Sequence, residues 1–383
     1  MKKIVCTILC ATCLASALSA QEDESKMNRA AVLKNAPSVS KDGKVTFTLT
    51  APKAAEVMLG GDWGGERLPM IKDDQGNWTA TLELRPQIYS YSFYVDGVKT
   101  IDPSNTQLKI GRIANASSIE VPGNPPMLWE MRDVPHGDIT TITYRSTAAG
   151  DQRRVAIYTP PGYQPDQAAK LPVLYLLHGN GENESSWVQY GRANLIADNL
   201  LAEGRMKPMI IVMPKGHAYK PGETPAPGTP PLIAFKASVF KEDLLGTIVP
   251  LVEKRFQVKT DQPNRAIMGL SMGGAQSLSI GLGNLDRFSY VGIFSAGGNS
   301  GSNVLARLTA DPKSANEKLK MLWIACGRLD KGFAGVEKLN DDLTKAGIVH
   351  TYKTTDGAHD WINWREYLTE TLPLLFQQSD NHN

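Results

Sequence analysis

A serine in the second half of the chain lies between two glycines, in the run 269–273, which reads Gly-Leu-Ser-Met-Gly. Residues 265–268 before it are mostly apolar and predict a buried strand, while residues 272–278 after it predict a helix. A serine on so sharp a strand-to-helix turn is exposed at the end of the strand, and the adjacent helix N-terminus favours negative charge. The pattern therefore predicts Ser271 as a nucleophile; the alternative is a glycine-rich turn with a structural serine.

Ser271 needs a base, because a serine hydroxyl is a weak nucleophile until its proton is removed. In proteins with this turn the chain order is serine, acid, histidine, so the candidates beyond Ser271 are His350, His359 and His382. His382 is in the C-terminal tail, and His350 lies within a predicted strand. His359 follows that strand in a turn from which an imidazole can reach the serine. We predict His359 as general base and acid, with a surface-loop histidine as the alternative.

The acid is expected at the end of an earlier strand, where it can hold the imidazole in one tautomer. The apolar run 322–325 predicts a strand shortly before Asp330, and sites gather at the carboxyl ends of strands in open α/β sheets. Asp356 and Asp360 compete because they flank His359. However, a neighbour in sequence rarely points at the imidazole from the required side. Asp330 is therefore the predicted acid.

The negative charge that develops on a carbonyl oxygen during acyl transfer needs hydrogen-bond donors that are already in place. One expected donor is the backbone N–H of Met272, directly after the nucleophile. The second is expected in the loop after the predicted strand 173–177, which reads His-Gly-Asn-Gly from residue 178. Glycine lets the backbone approach closely, so the N–H of Gly179 or Asn180 is the candidate. His178 is expected to form structural hydrogen bonds.

The elements that would position these residues alternate between strands and helices over residues 137–378. Continuous apolar runs, typical of strands buried in a parallel sheet, lie at 173–177, 209–213, 265–269, 290–294 and 322–325. Helical spacing occurs at 240–256, 272–281 and 332–346, and further predicted strands are 138–144, 153–159 and 350–354. Such alternation predicts an α/β fold with the doubly wound sheet of an α/β-hydrolase.

A different pattern occupies residues 38–122. Apolar and polar residues alternate over 45–50, 78–84 and 88–95, with glycine-containing turns between these runs. Short alternating runs broken by such turns predict an all-β sandwich of the immunoglobulin-like type. A proline-rich stretch then indicates a linker over residues 123–136.

The N-terminus has the pattern of a secretory signal peptide. Lys2 and Lys3 precede an apolar run that closes on small residues, and we predict that residues 1–20 are removed after Ala20. The run is short for a membrane span, so a retained anchor or a buried helix is the alternative. Residues 21–37 are polar and predict a flexible lead-in. We therefore expect a secreted or periplasmic protein without a membrane span.

Removal of the signal peptide would leave a neutral chain, because Lys2 and Lys3 account for the difference between 41 basic and 39 acidic residues. Neutrality gives no reason to expect nucleic acid or an anionic membrane as a partner. Three of the four cysteines also lie in residues 1–20, which leaves Cys326 without a disulfide partner or a thiolate cluster for a metal. We expect no metal and no cofactor.

Several segments resemble carbohydrate esterase family one, which holds feruloyl and acetyl-xylan esterases and is related to enterochelin-type esterases and mycolyl transferases. The resemblance rests on residues 176–179, 240–250, 265–274, 326–330 and 357–364. It implies an α/β-hydrolase domain whose nucleophile, acid and histidine are Ser271, Asp330 and His359.

The upstream segment resembles a second kind of domain. Residues 89–97 and the pair Asp102-Pro103 are similar to the immunoglobulin-like module of glycogen-acting enzymes, often grouped as family-forty-eight carbohydrate-binding modules. This pairing is typical of gut bacterial feruloyl esterases. It implies that the substrate is a feruloylated xylan or xylo-oligosaccharide from the plant cell wall, from which ferulic or another hydroxycinnamic acid is released.

A feruloyl ring requires an apolar slot. Trp187, Trp361 and the proline-rich segment 214–231 are candidate walls, although ordinary packing is the alternative for both tryptophans. Acetyl-xylan esterase and siderophore-type esterase remain alternative functions. A siderophore esterase is expected to present basic residues to a catecholate anion, and only Lys215, Lys220 and Lys236 border the proline-rich segment. The alternative of another class is a non-catalytic carbohydrate-binding protein.

Overall fold

The computed structural model of the chain describes residues 35–111, 114–220, 222, 237–297 and 302–377. The predicted signal peptide, most of the predicted lead-in and His382 lie outside the described residues. Among the described residues, none of the helices combines the length and the apolar character that crossing a membrane requires.

The N-terminal domain is a β-sandwich, as the alternation predicts. Its strands are β1 (Ser38–Val39), β2 (Lys44–Thr50), β3 (Val57–Gly61), β4 (Leu68–Pro69), β5 (Ile71–Lys72), β6 (Asn77–Glu83), β7 (Gln87–Val95), β8 (Val98–Thr100), β9 (Leu108–Ile110) and β10 (Ala114–Val121). One sheet has the order β1-β2-β6-β5 and the other β4-β3-β7-β10-β9, with β8 paired to β7. Val45, Phe47 and Leu49 of β2 point into the core between the sheets, where Phe47 packs edge-on against Tyr91. The predicted all-β sandwich is confirmed.

The segment between the last sandwich strand and the second domain is closely packed. Trp129 belongs to an apolar cluster of the second domain. The carboxylate of buried Glu130 accepts hydrogen bonds from the backbone N–H groups of Gly123 and Met127 at 2.7 and 3.0 Å. Asn199 donates to the carbonyl oxygen of Glu130 at 3.0 Å. This segment is therefore packed against the second domain.

The second domain is built on an eight-stranded sheet. Its strands are β11 (Asp138–Arg145), β12 (Gln152–Thr159), β13 (Val173–Leu177), β14 (Ile210–Pro214), β15 (Arg265–Leu270), β16 (Tyr290–Phe294), β17 (Met321–Gly327) and β18 (Thr351–Thr355). Their order is β11-β12-β14-β13-β15-β16-β17-β18, and pairing is parallel from β14 to β18, with β12 antiparallel to both of its neighbours. The predicted α/β-hydrolase sheet is confirmed.

Helices cover both faces of this sheet. They are α1 (Ser186–Gln189), α2 (Ala193–Ala202), α3 (Ala237–Asp243), α4 (Val249–Arg255), α5 (Met272–Gln276), α6 (Ser302–Ala310), α7 (Pro312–Lys318), α8 (Phe333–Lys345) and α9 (Trp361–Thr371). Wider π turns follow α3 at Leu244–Ile248 and α5 at Ser277–Gly281. Along β13, Val173, Tyr175 and Leu177 join one apolar cluster while Leu174 and Leu176 join the other. Because both faces are covered, these strands are apolar throughout.

The two domains share their packing. Ile362 of α9 belongs to the sandwich core, whereas Ile88 of β7 belongs to the core of the α/β domain. Arg365 is fully buried between them and donates hydrogen bonds to the Gln87 side chain at 2.8 Å, to the Tyr190 carbonyl at 2.7 Å and to the Ile88 carbonyl. A buried guanidinium is tolerated only with such partners, so this contact fixes the sandwich against α9.

Candidate active site

The turn between β15 and α5 holds Ser271 in a strained conformation. Its φ of 52° and ψ of −115° lie where few residues other than glycine are found. A Cβ on Gly269 would come within 2.6 Å of the Gly273 backbone, and one on Gly273 would come within 2.5 Å of the Leu177 carbonyl oxygen. Both positions therefore require glycine, and the turn exposes the hydroxyl at the carboxyl edge of the sheet.

The structure brings the three predicted residues together. The Ser271 hydroxyl lies 2.9 Å from Nε2 of His359, and Nδ1 of His359 lies 2.7 Å from Oδ2 of Asp330. Each residue follows the end of a parallel strand, β15, β17 or β18. Because these ends meet at one edge of the sheet, residues far apart in sequence converge there.

Asp330 is buried, and its carboxylate has several donors. Burial alone would raise its pKa, but hydrogen bonds from His359, from the backbone N–H of Gly332 and from Ser295 outweigh burial, so the pKa lies below its ordinary value. The competing carboxylates are engaged elsewhere. Asp356 is exposed and pairs with Arg328 at 2.8 Å, and Asp360 accepts from the Asn363 N–H at the start of α9.

The loop after β13 passes directly beside the nucleophile. A Cβ on Gly179 would lie 3.6 Å from Cβ of Ser271, and both Gly179 and Asn180 line the same cleft as the serine. His178 is buried, accepts from the Gly216 N–H at 2.8 Å through Nε2, and contacts the Gly179 carbonyl through Nδ1. Burial lowers the pKa of His178 to about 3, with His217 contributing in the same direction. His178 is therefore a neutral structural residue.

The two predicted aromatic walls occupy different places. Trp361 lines the cleft, and its indole N–H donates to Glu182 at 3.1 Å. Trp187 does not line the cleft: it lies behind Trp361, edge-on at 5.0 Å between ring centroids, and its indole N–H donates to the Leu177 carbonyl oxygen. Both tryptophans are 1% exposed. Trp187 is thus a core residue beneath the cleft, and its prediction as a substrate wall is corrected. Most of the segment 214–231 lies outside the described residues.

Two residues that the sequence interpretation missed also contact the candidate catalytic set of Ser271, His359 and Asp330. Trp364 lies edge-on to His359 at 5.0 Å between ring centroids, and its N–H donates to the Ser295 hydroxyl at 3.0 Å. Ser295 follows the end of β16 and has a positive φ of 52°, as Ser271 does. β16 lies between β15, which precedes Ser271, and β17, which precedes Asp330. A residue at the carboxyl end of β16 could therefore have been predicted near the site from the order of the strands.

The catalytic set opens into a cleft of about 730 Å³ between the two domains. The α/β domain supplies Leu270, Trp361 and Trp364 together with Ser271 and His359. The opposite side carries charged side chains of the sandwich, here called the sandwich wall: Asp62, Glu66, Arg67, Lys99 and Lys109. In the part of the chain that the structure describes, no group of three or more His, Cys, Asp or Glu side chains is arranged to hold a metal.

A nucleophile turn on a doubly wound sheet, with a histidine and an aspartate at neighbouring strand ends, defines the α/β-hydrolase class. Comparison with known proteins identifies the family within this class. The family described as Esterase matches residues 146–375, more than half of the chain. The chain belongs to the esterase family.

Two curated relatives are similar in sequence. An endo-1,4-β-xylanase/feruloyl esterase of Xylanibacter ruminicola is 33% identical over 351 residues, covering 89% of this chain and 46% of the relative. Endo-1,4-β-xylanase Y of Acetivibrio thermocellus is 25% identical over 165 residues, covering 40% of this chain and 14% of the relative. The chain thus spans less than half the length of the relatives it matches.

Two solved structures are also similar to this chain, one over about two thirds of its length and the other over most of it. A CE1 ferulic acid esterase from Anaeromyces mucronatus, in complex with ferulic acid, is 27% identical with a TM-score of 0.56, covering 64% of this chain and 93% of the other. The enterobactin esterase of Shigella flexneri is 20% identical with a TM-score of 0.64, covering 89% of this chain and 96% of the other. The second match includes both domains and shows a likeness of fold.

Proposed function

We propose that this protein is a serine carboxylic-ester hydrolase that releases ferulic or a related hydroxycinnamic acid from xylan or its oligosaccharides. The observation that carries the proposal is the continuous hydrogen-bonded chain from the Ser271 hydroxyl through His359 to Asp330. Similarity to an endo-1,4-β-xylanase/feruloyl esterase and to a solved ferulic acid esterase supports the choice of acyl group.

The first half of the reaction forms an acyl-enzyme. Neutral His359 accepts the hydroxyl proton at Nε2 while Oγ of Ser271 attacks the ester carbonyl carbon. The Nδ1–H group of His359 donates a hydrogen bond to the Asp330 carboxylate and keeps its proton. This hydrogen bond leaves Nε2 free as the base and stabilises the imidazolium. The backbone N–H of Met272, with that of Gly179 or Asn180, stabilises the charge on the carbonyl oxygen.

The second half regenerates the enzyme. The imidazolium of His359 gives its proton to the alcohol oxygen as the carbon–oxygen bond breaks, and the sugar leaves. Water then attacks the acyl carbon while His359 accepts one of its protons, and this proton returns to Oγ of Ser271 as the carboxylic acid is released. Leu270, Trp361 and Trp364 form the apolar part of the cleft lining, beside which the acyl group is expected to lie.

A catecholate siderophore ester is the second candidate substrate, and a specific observation favours it. Arg67, Lys99 and Lys109 bring positive charge to the cleft, which the sequence interpretation sought only beside segment 214–231. Asp62 and Glu182 argue against a catecholate substrate, because carboxylates in the same cleft repel an anionic acyl group. Acetyl-xylan hydrolysis remains the alternative with a smaller acyl group.

The test compares methyl ferulate, acetylated xylan and a catecholate serine ester at equal concentration. The proposal expects methyl ferulate to be hydrolysed with the highest kcat/KM and Ser271→Ala to be inactive on all three esters. Predominant acetate or catecholate release by the wild type would replace the proposed substrate. Failure to hydrolyse even a short-chain chromogenic ester would leave the non-catalytic carbohydrate-binding function.

We also infer that residues 1–20 export the protein and that residues 38–122 and 137–378 are its two domains, joined by residues 123–136. Export is tested by expressing the full chain in a bacterium and sequencing the N-terminus of the exported protein. The expected start is Gln21. Activity confined to the cytoplasm, with residues 1–20 still attached, would contradict export.

A further inference from the structure

The cleft contains a buried carboxylate that the proposed reaction does not use. Glu182 lies three residues after Gly179, is 8% exposed and lines the cleft beside the nucleophile. Its Oε1 accepts the indole N–H of Trp361 at 3.1 Å, whereas Oε2 has no hydrogen-bond partner among the described residues. Oε2 is closed to solvent, and burying a carboxylate oxygen without a partner is costly, so a small movement of the Glu182 side chain toward a donor in the cleft would be favoured.

The sandwich brings further charge to the same place. Nζ of Lys109 in β9 lies 3.8 Å from Oε1 of Glu182. Asp62 lines the same cleft, and its carboxylate accepts the Ser90 N–H at 2.8 Å. Burial raises the pKa of Asp62 to about 6, although Arg365 and Lys109 act in the opposite direction. The two domains thus present acceptors and a donor to one volume.

β9 is held firmly against the loop that carries Glu182. The N–H of Ile110 donates to the Tyr190 hydroxyl at 2.9 Å, and the amide of Asn183 donates to the Gly111 carbonyl at 3.0 Å. A Cβ on Gly111 would come within 2.1 Å of the Gly181 carbonyl oxygen. Because the backbones approach so closely, Lys109 and Glu182 keep their relative positions without a ligand.

We propose that Glu182, Asp62 and Lys109 form a subsite that binds hydroxyl groups of the sugar from which the acyl group is released. Carboxylates accept and ammonium groups donate hydrogen bonds, so the set matches the mixed donors and acceptors of a sugar. Glu182 is close to the nucleophile, whereas the phenolic hydroxyl of a feruloyl group lies at the far end of its acyl chain. The alcohol side of the ester is therefore the part that Glu182 can reach.

This subsite rests on the proposed function, and one experiment separates the two. It measures kcat/KM for a feruloylated arabino-oligosaccharide and for methyl ferulate, which has the same acyl group and no sugar. Glu182→Gln keeps an oxygen for the Trp361 indole, and Asp62→Asn keeps the shape of its side chain. Asp74→Asn is the control, because Asp74 is an exposed sandwich carboxylate that does not line the cleft.

The expected result is that kcat/KM for the sugar ester falls by about 10- to 100-fold in Glu182→Gln and by up to about 10-fold in Asp62→Asn, since a hydrogen bond to a charged group is lost. Values for methyl ferulate and for the control variant stay unchanged. Equal losses on both esters would assign Glu182 to support of the loop and overturn the subsite. A wild type with no preference for the sugar ester would overturn it too. A wild type inactive on both esters would contradict the proposed function itself.

Discussion

The two sides of the cleft are built in different ways. The catalytic side takes Ser271, Asp330 and His359 from strand ends of one sheet, within 89 residues of each other in one domain. The sandwich wall comes from another domain more than 150 residues earlier and meets the catalytic side only through tertiary packing. The proposed reaction would thus depend on local turns and strand order, while the choice of alcohol is expected to depend on the contact between domains.

The largest expected effect is on the catalytic side. Ser271→Ala is expected to lower kcat for every ester at least about 1,000-fold, because the attacking oxygen is lost. Asp330→Asn is expected to lower kcat by about 1,000- to 10,000-fold, since the amide favours the wrong histidine tautomer. Initial rates on methyl ferulate measure both. Asp356→Asn, at an exposed position, serves as the control, and a comparable loss in that variant would contradict the assignment of the acid.

Removal of Arg365 tests how firmly the two sides are joined. Arg365→Met removes a donor from three buried acceptors, of which the Gln87 side-chain oxygen keeps only the Ile88 N–H, so we expect the free energy of unfolding to fall by about 3–5 kcal/mol. Urea unfolding measures it. Arg85→Met is the matched control, because Arg85 is 61% exposed and pairs with Glu366 at the surface, where an ion pair contributes less than about 1 kcal/mol. Equal losses in the two variants would show that the buried contact has no special role.

Gly111→Ala links the sandwich to catalysis itself. The added methyl group collides with the Gly181 carbonyl oxygen, so the loop that carries Gly179 and Asn180 must shift. We expect kcat to fall about 10- to 100-fold on sugar and methyl esters alike, because an oxyanion donor is displaced. Gly246→Ala, in open space, is expected to leave kcat unchanged. A normal kcat in Gly111→Ala would show that the contact between the sandwich and this loop does not position the oxyanion donors.

The smallest expected effect is a change with pH in the preference for the sugar ester over methyl ferulate. Asp62 is a charged acceptor only above its pKa of about 6, which burial raises against the influence of Arg365 and Lys109. As the pH falls through this value the carboxyl group is protonated. The ratio of kcat/KM for the sugar ester to that for methyl ferulate should therefore fall, by up to about 10-fold.

The matching variant is Asp62→Asn, in which this ratio is expected to be independent of pH. The other carboxylates that line the cleft, Glu66, Glu182 and Asp360, remain in that variant. A ratio that still changes near pH 6 in Asp62→Asn would contradict the assignment of this pH dependence to Asp62.

The catalytic side could be predicted because its geometry follows from local rules. A glycine-flanked serine after a buried strand, an aspartate after a later strand and a histidine after the last strand must meet at one sheet edge. The predicted strands also fall within a few residues of those observed, for example 290–294 for β16. Strong apolar runs determine buried strands almost without tertiary information.

The sandwich wall could not be predicted in this way. Asp62, Arg67 and Lys109 lie in turns or on edge strands of a domain whose orientation is set by contacts such as Arg365 with Gln87. No periodicity in the sequence encodes that orientation. Trp187 fails for a related reason: an aromatic residue near a catalytic loop can face the cleft or the core, and its indole N–H found a backbone acceptor in the core.

The account depends most on Ser271 as the residue that carries the acyl group. The direct measurement is a rapid-quench reaction with a nitrophenyl ester of ferulic acid, followed by mass spectrometry of the intact chain and of its peptides. The account predicts a burst of one nitrophenol per chain and one feruloyl group on the peptide that contains Ser271. A feruloyl group on another residue, or an undiminished burst in Ser271→Ala, would contradict it.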